Sequence, residues 1–315
     1  MAQPTFSEIK FVTLGVADLD RAIAFYADAF GFAELSRTRV DHEALSELWR
    51  IPHGIAGRFA ILGIPGIDSG MLRLVEWTPA GEHVWAAPVK IQDLGPFAVN
   101  FRVKEIHAAW DLLARSGARP KSGPTYWEVN EQIAAWDSQC FDPDGTLLDV
   151  FQVVGEIEKT LGSFPDGHDA SEVQTLALHC SDARRSEAFY ASLGFETLYD
   201  KLVENLEHFF GVPKGTALHN INLIMRGAHP NGRIELAQYV GLAGKSLKAR
   251  TAPPSLGPLM MSLRVTSVED GATHMMAHGA KELSAGRYKS PPFGDVRART
   301  FFGPDDEVIE VFEIV

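Results

Sequence analysis

Residues 12–32 read VTLGVADLDRAIAFYADAFGF, and residues 176–195 read LALHCSDARRSEAFYASLGF. Each copy has an apolar strand-like run, an Asp, a helical stretch with Phe-Tyr seven residues after that Asp, and a closing Gly-Phe. Asp18, Phe25, Tyr26, Gly31 and Phe32 correspond to Asp182, Phe189, Tyr190, Gly194 and Phe195. A repeat of this size means that the chain is built from similar halves, and each half can test the reading of the other.

The repetition goes one level deeper. LGPFAVNFRVKEIHAAWDLLARSGA, from Leu94, answers to LGPLMMSLRVTSVEDGATHMMAHGA, from Leu256. The halves close alike, with CFDPDGTLLDVFQVV against FFGPDDEVIEVFEIV. Between these segments, RFAILGIPGIDSGMLRLVEWTP and LHNINLIMRGAHPNGRIELAQYV read as strand pairs joined by Gly-, Pro- and Asn-containing turns. The result is four modules, at about 8–80, 95–153, 173–243 and 257–315. GEIEKTLGSFPDGHDAS lacks apolar periodicity and reads as a linker. The expected organisation is residues 1–154 as one pair of modules, 155–172 as linker and 173–315 as the second pair.

Local signals agree with this layout. Asp18 and Asp182 are placed to cap helix N-termini, where a carboxylate meets free N–H groups and the positive end of the helix dipole. Gly31 and Gly194 sit where a left-handed residue ends a helix. One face of every module's first strand is apolar: Val12, Leu14, Val16; Val99, Phe101, Val103; Leu176, Leu178, Cys180; Met261, Leu263, Val265. The other face is mixed, and alternation puts it on the far side of the sheet. The fold class is therefore α+β: helices outside a sheet, with a chemically varied face lining a cup.

The chain has 315 residues, 45% of them apolar, which is enough for two domains with sizeable cores. A net charge of −12 disfavours nucleic acid and anionic membranes as partners. No apolar run is long enough to cross a membrane, and MAQPTFSEIK has no signal-peptide character. With only Cys140 and Cys180, both expected to be reduced, a cytoplasmic location is expected.

The motifs ADLDRAIAFY with GF, SDARRSEAFY with GF, DPDGTLLDV and GRIEL together resemble the vicinal oxygen chelate superfamily, which includes glyoxalase I, extradiol dioxygenases and bleomycin-resistance proteins. The resemblance implies four βαβββ modules forming two cup-like half-barrel pairs, each with one potential site. In metal-dependent members, the first strands usually supply His and the last strands Glu. The corresponding first-strand residues here are Phe11, Ala98, Thr175 and Met260, and the last-strand residues are Arg73, Asp149, Glu235 and Glu310. The four first-strand residues are poor metal ligands, so no cofactor is expected. A divalent metal held by Glu235, Glu310 and His179 is the alternative.

Glu235 and Glu310 are expected to share the C-terminal cup, the one expected to be active. Two carboxylates in one cavity push one pKa upward, which suits a base and an acid. The candidate catalytic residues are Glu235, Glu310, His179 and Arg264, the last two as stabilisers of a developing enolate oxygen. Thr175, Tyr239, Met260, Ser262 and Phe312 are candidate substrate-binding residues. Arg102 matches Arg264 and would be an anion clamp or a strand-end cation. Arg73 and Asp149 are expected to fill the N-terminal cup with a salt bridge.

The expected function is proton-transfer, isomerase or lyase chemistry on a small carbonyl- or enol-bearing molecule, without metal. The alternatives are a non-catalytic binding or resistance protein and, third, an extradiol-type dioxygenase. Two cups can be completed within one chain, which fits either a monomer or a homodimer.

Overall fold

The computed structural model describes residues 4–130, 133–155, 161–205, 207 and 211–315. Module one comprises β1 (Phe6–Val16), α1 (Leu19–Phe30), β2 (Ala33–Arg39), α2 (His42–Leu45), β3 (Ala56–Gly63) and β4 (Met71–Thr78). Module two comprises β5 (Gly95–Arg102), α3 (Ile106–Arg115), β6 (Arg119–Asn130), β7 (Ile133–Phe141) and β8 (Leu147–Val154). Module three comprises β9 (Thr175–His179), α4 (Ala183–Ser192), β10 (Glu196–Val203), β11 (Leu218–Ile224) and β12 (Arg233–Tyr239). Module four comprises β13 (Gly257–Val265), α5 (Val268–Ala277), β14 (Lys281–Ser290), β15 (Gly294–Phe302) and β16 (Val308–Ile314).

Helix signals act where the sequence places them. The Asp18 carboxylate accepts the Arg21 N–H, and Gly31 ends α1 in the left-handed region at φ 72°. Asp182 accepts from the N–H groups of Arg184 and Arg185. The apolar faces of β1, β5, β9 and β13 lie in one continuous core, which also takes Phe25, Tyr26, Phe189 and Tyr190 from the helices.

Module pairing differs from the expectation. One eight-stranded sheet has the order β14-β15-β16-β13-β1-β4-β3-β2, and the other β10-β11-β12-β9-β5-β8-β7-β6. The cups are therefore built from modules one and four and from modules two and three, not from each consecutive half. β1 runs antiparallel to β13, and β5 antiparallel to β9. Consecutive modules meet through their helix-covered sides instead. The Tyr26 hydroxyl donates to Asp142 of module two at 2.9 Å, and the Tyr190 hydroxyl to Glu307 of module four at 2.5 Å. A repeat identifies modules, but both pairings place the same residues on the same faces, so pattern alone does not choose between them.

The two sheets are joined at a closed ring of backbone hydrogen bonds. Ile9 N–H donates to Gly232, Gly232 N–H to Val173, Val173 N–H to Gly70 and Gly70 N–H to Ile9, at 2.9–3.0 Å. Gly70 and Gly232 have φ of +57° and +79°, and a Cβ on either would come within 2.5 Å of a carbonyl oxygen of the ring. Both positions therefore require glycine.

Candidate functional site

The cup of modules one and four is filled. Phe11, Trp49, Phe59, Trp77, Met260, Tyr288 and Phe312 form its buried interior. Arg73 Nη2 and Glu310 Oε1 lie 3.0 Å apart at its centre. The same carboxylate accepts from Ser262 Oγ and Tyr288 Oη at 2.9 and 3.0 Å and from Trp49 Nε1 at 2.9 Å. The Arg73 guanidinium also stacks over Phe11 and Trp49. Oε1 of Glu310 thus takes three donors and Oε2 one, and the space left in this cup measures only about 20 Å³.

This geometry corrects several expectations. Glu310, Met260, Ser262 and Phe312 belong to a packed interior and do not face Glu235. Arg73 pairs with Glu310, while Asp149 lies in the other cup. Arg264 is exposed, so it clamps nothing inside either cup.

The cup of modules two and three is open. Its cavity measures about 460 Å³, with walls that include Phe97, Trp127, Phe151, Tyr199 and Tyr239. A polar row crosses its floor through ladder partners: Arg233 faces Thr175, Thr175 faces Asn100, Asn100 faces Asp149, and Asp149 faces Gln139. Two residues along β12, Glu235 pairs in register with Ala177 and with Asn222. Of the expected site residues, Glu235, Thr175 and Tyr239 line this cavity.

His179 lies on the same strand face but is covered. Its ring stacks on Phe97 at 3.6 Å and meets Trp85 and Tyr239 edge-on. Burial depresses its pKa to about 3, so the imidazole is neutral at physiological pH. It acts as a wedge under the cavity wall and lies apart from Glu310, contrary to the expected constellation. Arg102 is buried as well; it donates to the Gly162 carbonyl at 2.7 Å and lies over Phe164.

Glu235 is held by two amides. Asn100 Nδ2 donates to its Oε2 at 2.7 Å, and Asn220 Nδ2 donates to its Oε1. Burial, followed by the nearby charge of Asp149, raises its pKa to about 7 against these stabilising bonds. Asp137 and Asp149 hydrogen bond to each other. Burial, reinforced by the Asp149 charge, lifts Asp137 well above the carboxylate range. Asp149 is also raised by burial, although the bonds from Asp137 and Gln139 oppose this. Two buried carboxyls bonded to each other share a proton, because burial and mutual repulsion both oppose double ionisation.

Oδ1 of each of Asn100, Asn220 and Asn222, and Oδ1 of Asp137 and Asp149, are buried without a hydrogen-bond partner. Buried acceptors in this state are suited to a donor brought by a ligand.

Asp137, Asn220, Asn222, Gln139 and Arg233 were not singled out in the sequence. The signal was alternation: Asn220 and Asn222 in LHNINLI, Asp137 and Gln139 in AAWDSQCF, and Arg233 two residues before Glu235.

The metal that the family implies does not fit here. The four ligand positions of this cup hold Ala98, Thr175, Asp149 and Glu235, with no imidazole. Both oxygens of Glu235 already accept amide N–H groups, and Asp149 shares a proton with Asp137. No group of three or more His, Cys, Asp or Glu suited to a metal occurs among the described residues.

A two-sheet, four-module fold with one filled and one open cup defines a glyoxalase-fold protein. Residues 8–150 match the family model "Glyoxalase/Bleomycin resistance protein/Dioxygenase superfamily". That match covers less than half of the chain, and residues 173–315 repeat its pattern of strand, helix and strands. Glyoxalase I from Zea mays is similar in structure, with TM-score 0.67 and 16% identity, covering 98% of this chain and 93% of that one. A provisionally assigned dioxygenase from Bacillus subtilis superposes with TM-score 0.61 and 14% identity, covering 99% and 86%. At these identities the likeness concerns the fold alone. A search of curated proteins finds no significant sequence match. Among the described residues, no helix is long and apolar enough to cross a membrane.

Proposed function

We propose that the cup of modules two and three binds a small enolisable carbonyl compound and moves a proton on it without a metal, as an isomerase or lyase does. The observation that carries this reading is Glu235: a carboxyl on the floor of a 460 Å³ cavity, fixed by two amides, with a pKa near 7. A base with that pKa is about half ionised at neutral pH and still strong enough to accept a proton from carbon.

In the proposed step, the Glu235 carboxylate takes the proton from the carbon next to the carbonyl. The C–H electron pair forms a carbon–carbon double bond, the carbonyl π pair moves onto oxygen, and the proton shared by Asp137 and Asp149 is donated to that enolate oxygen. Return of the proton to another carbon gives isomerisation. Loss of a leaving group from the enolate gives lyase chemistry.

The test is hydrogen exchange in D2O, followed by NMR, on 4-phenyl-2-oxobutanoate and the neutral 4-phenyl-2-butanone. Exchange next to the carbonyl that is faster than in buffer and lost in Glu235→Gln supports the reading. Exchange at the buffer rate with both compounds, or unchanged in Glu235→Gln, refutes it. The aromatic walls also fit a binding cup without chemistry; ligand retained and recovered with no deuterium would favour that second reading.

A further inference from the structure

The open cup contains a cation that its neighbours leave uncompensated. Arg233 lines the cavity with only 2% of its surface exposed. Its Nε donates to the Pro230 carbonyl at 2.6 Å, and its buried Nη2 has no partner. No ion pair joins it to Glu235, although the two side chains stand two residues apart on the same face of β12. Arg102 lies near enough for its charge to disfavour the Arg233 cation, adding to burial, which is the larger influence. Among the described residues, no carboxylate compensates Arg233.

A buried guanidinium with a free N–H in a ligand-sized cavity is an anion receptor. We propose that Arg233 binds the carboxylate of the ligand, so that the natural ligand of this cup is a small organic monoacid. The acid group sits at the Arg233 end of the floor, and its apolar body lies against Trp127 and Tyr199. A planar carboxylate matches the fork of the guanidinium. A phosphate dianion matches it less well, because Asp149 and Glu235 stand on the same floor and would repel the second charge. This inference rests on the reading of the cup as the ligand site, but not on proton transfer taking place there.

The test is calorimetric binding at pH 7.5 of 4-phenylbutyrate, its neutral amide and 2-phenylethyl phosphate to the full chain. The carboxylate is expected to bind at least tenfold more tightly than the amide or the phosphate. Arg233→Met is expected to lose at least tenfold for the carboxylate and to bind the amide unchanged, while Arg233→Lys keeps part of the preference. Melting temperatures of both variants establish that they fold. Equal binding of acid and amide, full affinity in Arg233→Met, tighter binding of the phosphate, or no binding of any probe at millimolar concentration overturns the proposal. Proton transfer fails on its own if acids bind through Arg233 yet no exchange occurs. The carboxylate assignment fails on its own if 4-phenyl-2-butanone exchanges as readily as 4-phenyl-2-oxobutanoate.

Discussion

Asn100 Nδ2 lies 2.7 Å from Glu235 Oε2, although β9 runs between their strands. The residue of β9 in register with Glu235 is Ala177, whose methyl group leaves room for the two side chains to meet above it. Modules two and three are thus joined by a bond from an amide to the proposed base. Asn100→Ala removes one of the two bonds that oppose the burial-driven rise in the Glu235 pKa. The midpoint of Glu235 ionisation is expected to move above 7, by about one unit. Carboxyl-carbon NMR of labelled Glu235 reads this directly; an unchanged midpoint would show that Asn100 does not tune the carboxylate.

The pH profile of exchange follows from the same group. The basic form of Glu235 accumulates as pH rises, so the rate is expected to increase through about 7 and then level off. A rate that falls across this range would mean that a protonated group is limiting and would assign the chemistry elsewhere.

The filled cup makes a stability prediction. Glu310→Leu leaves Arg73 buried without its partner and is expected to cost about 3–5 kcal/mol. The double variant Arg73→Met/Glu310→Leu is expected to recover much of that loss, because apolar groups then fill the site. Urea denaturation measures both. Binding in the open cup should not change in either variant; a loss of affinity there would contradict the separation of the cups.

Tyr26 and Tyr190 make equivalent bonds between consecutive modules. Tyr26→Phe removes the hydroxyl that reaches the buried Asp142, and a cost of about 1–3 kcal/mol is expected. Tyr190→Phe should cost a similar amount through Glu307. Thermal melts of the two single variants that differ little from wild type would mean that the core alone holds the modules together.

Buried carboxyls also set how stability changes with pH. Burial raises Glu307 to about 7, as it does Glu235. Both hold a proton in the folded chain that the unfolded chain has released, so their contribution is full at low pH and is lost as pH rises through 7. His83 and His179, lowered by burial to about 4 and 3, act in the opposite sense, but only as pH falls below about 6.5. Between pH 6.5 and 8, stability should therefore fall by about 1 kcal/mol for each raised carboxyl. Glu307→Gln should lessen that slope, which melting curves across the range can detect.

The four modules, their capping residues and the two faces of each first strand were all legible in the sequence, because helix caps and strand alternation are local. The partnership of modules was not. Val12 packs in the shared core whichever strand lies beside β1, so its hydrophobicity says nothing about whether that strand is β5 or β13. Everything inferred from consecutive pairing failed with it: the shared cavity of Glu235 and Glu310 and the Arg73–Asp149 bridge; the clamp role of Arg264 failed because that side chain is exposed. Glu235, Thr175 and Tyr239 line the open cavity because strand direction alone placed them. Asp137 and Asn220 are hidden for a different reason: each lies on the third strand of its module, where a polar residue at alternate spacing looks like an ordinary solvent-facing position.

The pairing of modules one with four and two with three nests one partnership inside the other, like brackets. During synthesis, the inner cup can close as soon as β12 has left the ribosome. The outer cup cannot: β1 must wait until β13, roughly 250 residues later, has been made. Throughout that interval, module one exposes an apolar strand edge and an aromatic half-interior to whatever else is nearby. The outer cup, which carries no cavity of useful size, is therefore where cellular folding of this chain is most exposed to error, and the cup proposed to do the chemistry is the one that is finished first.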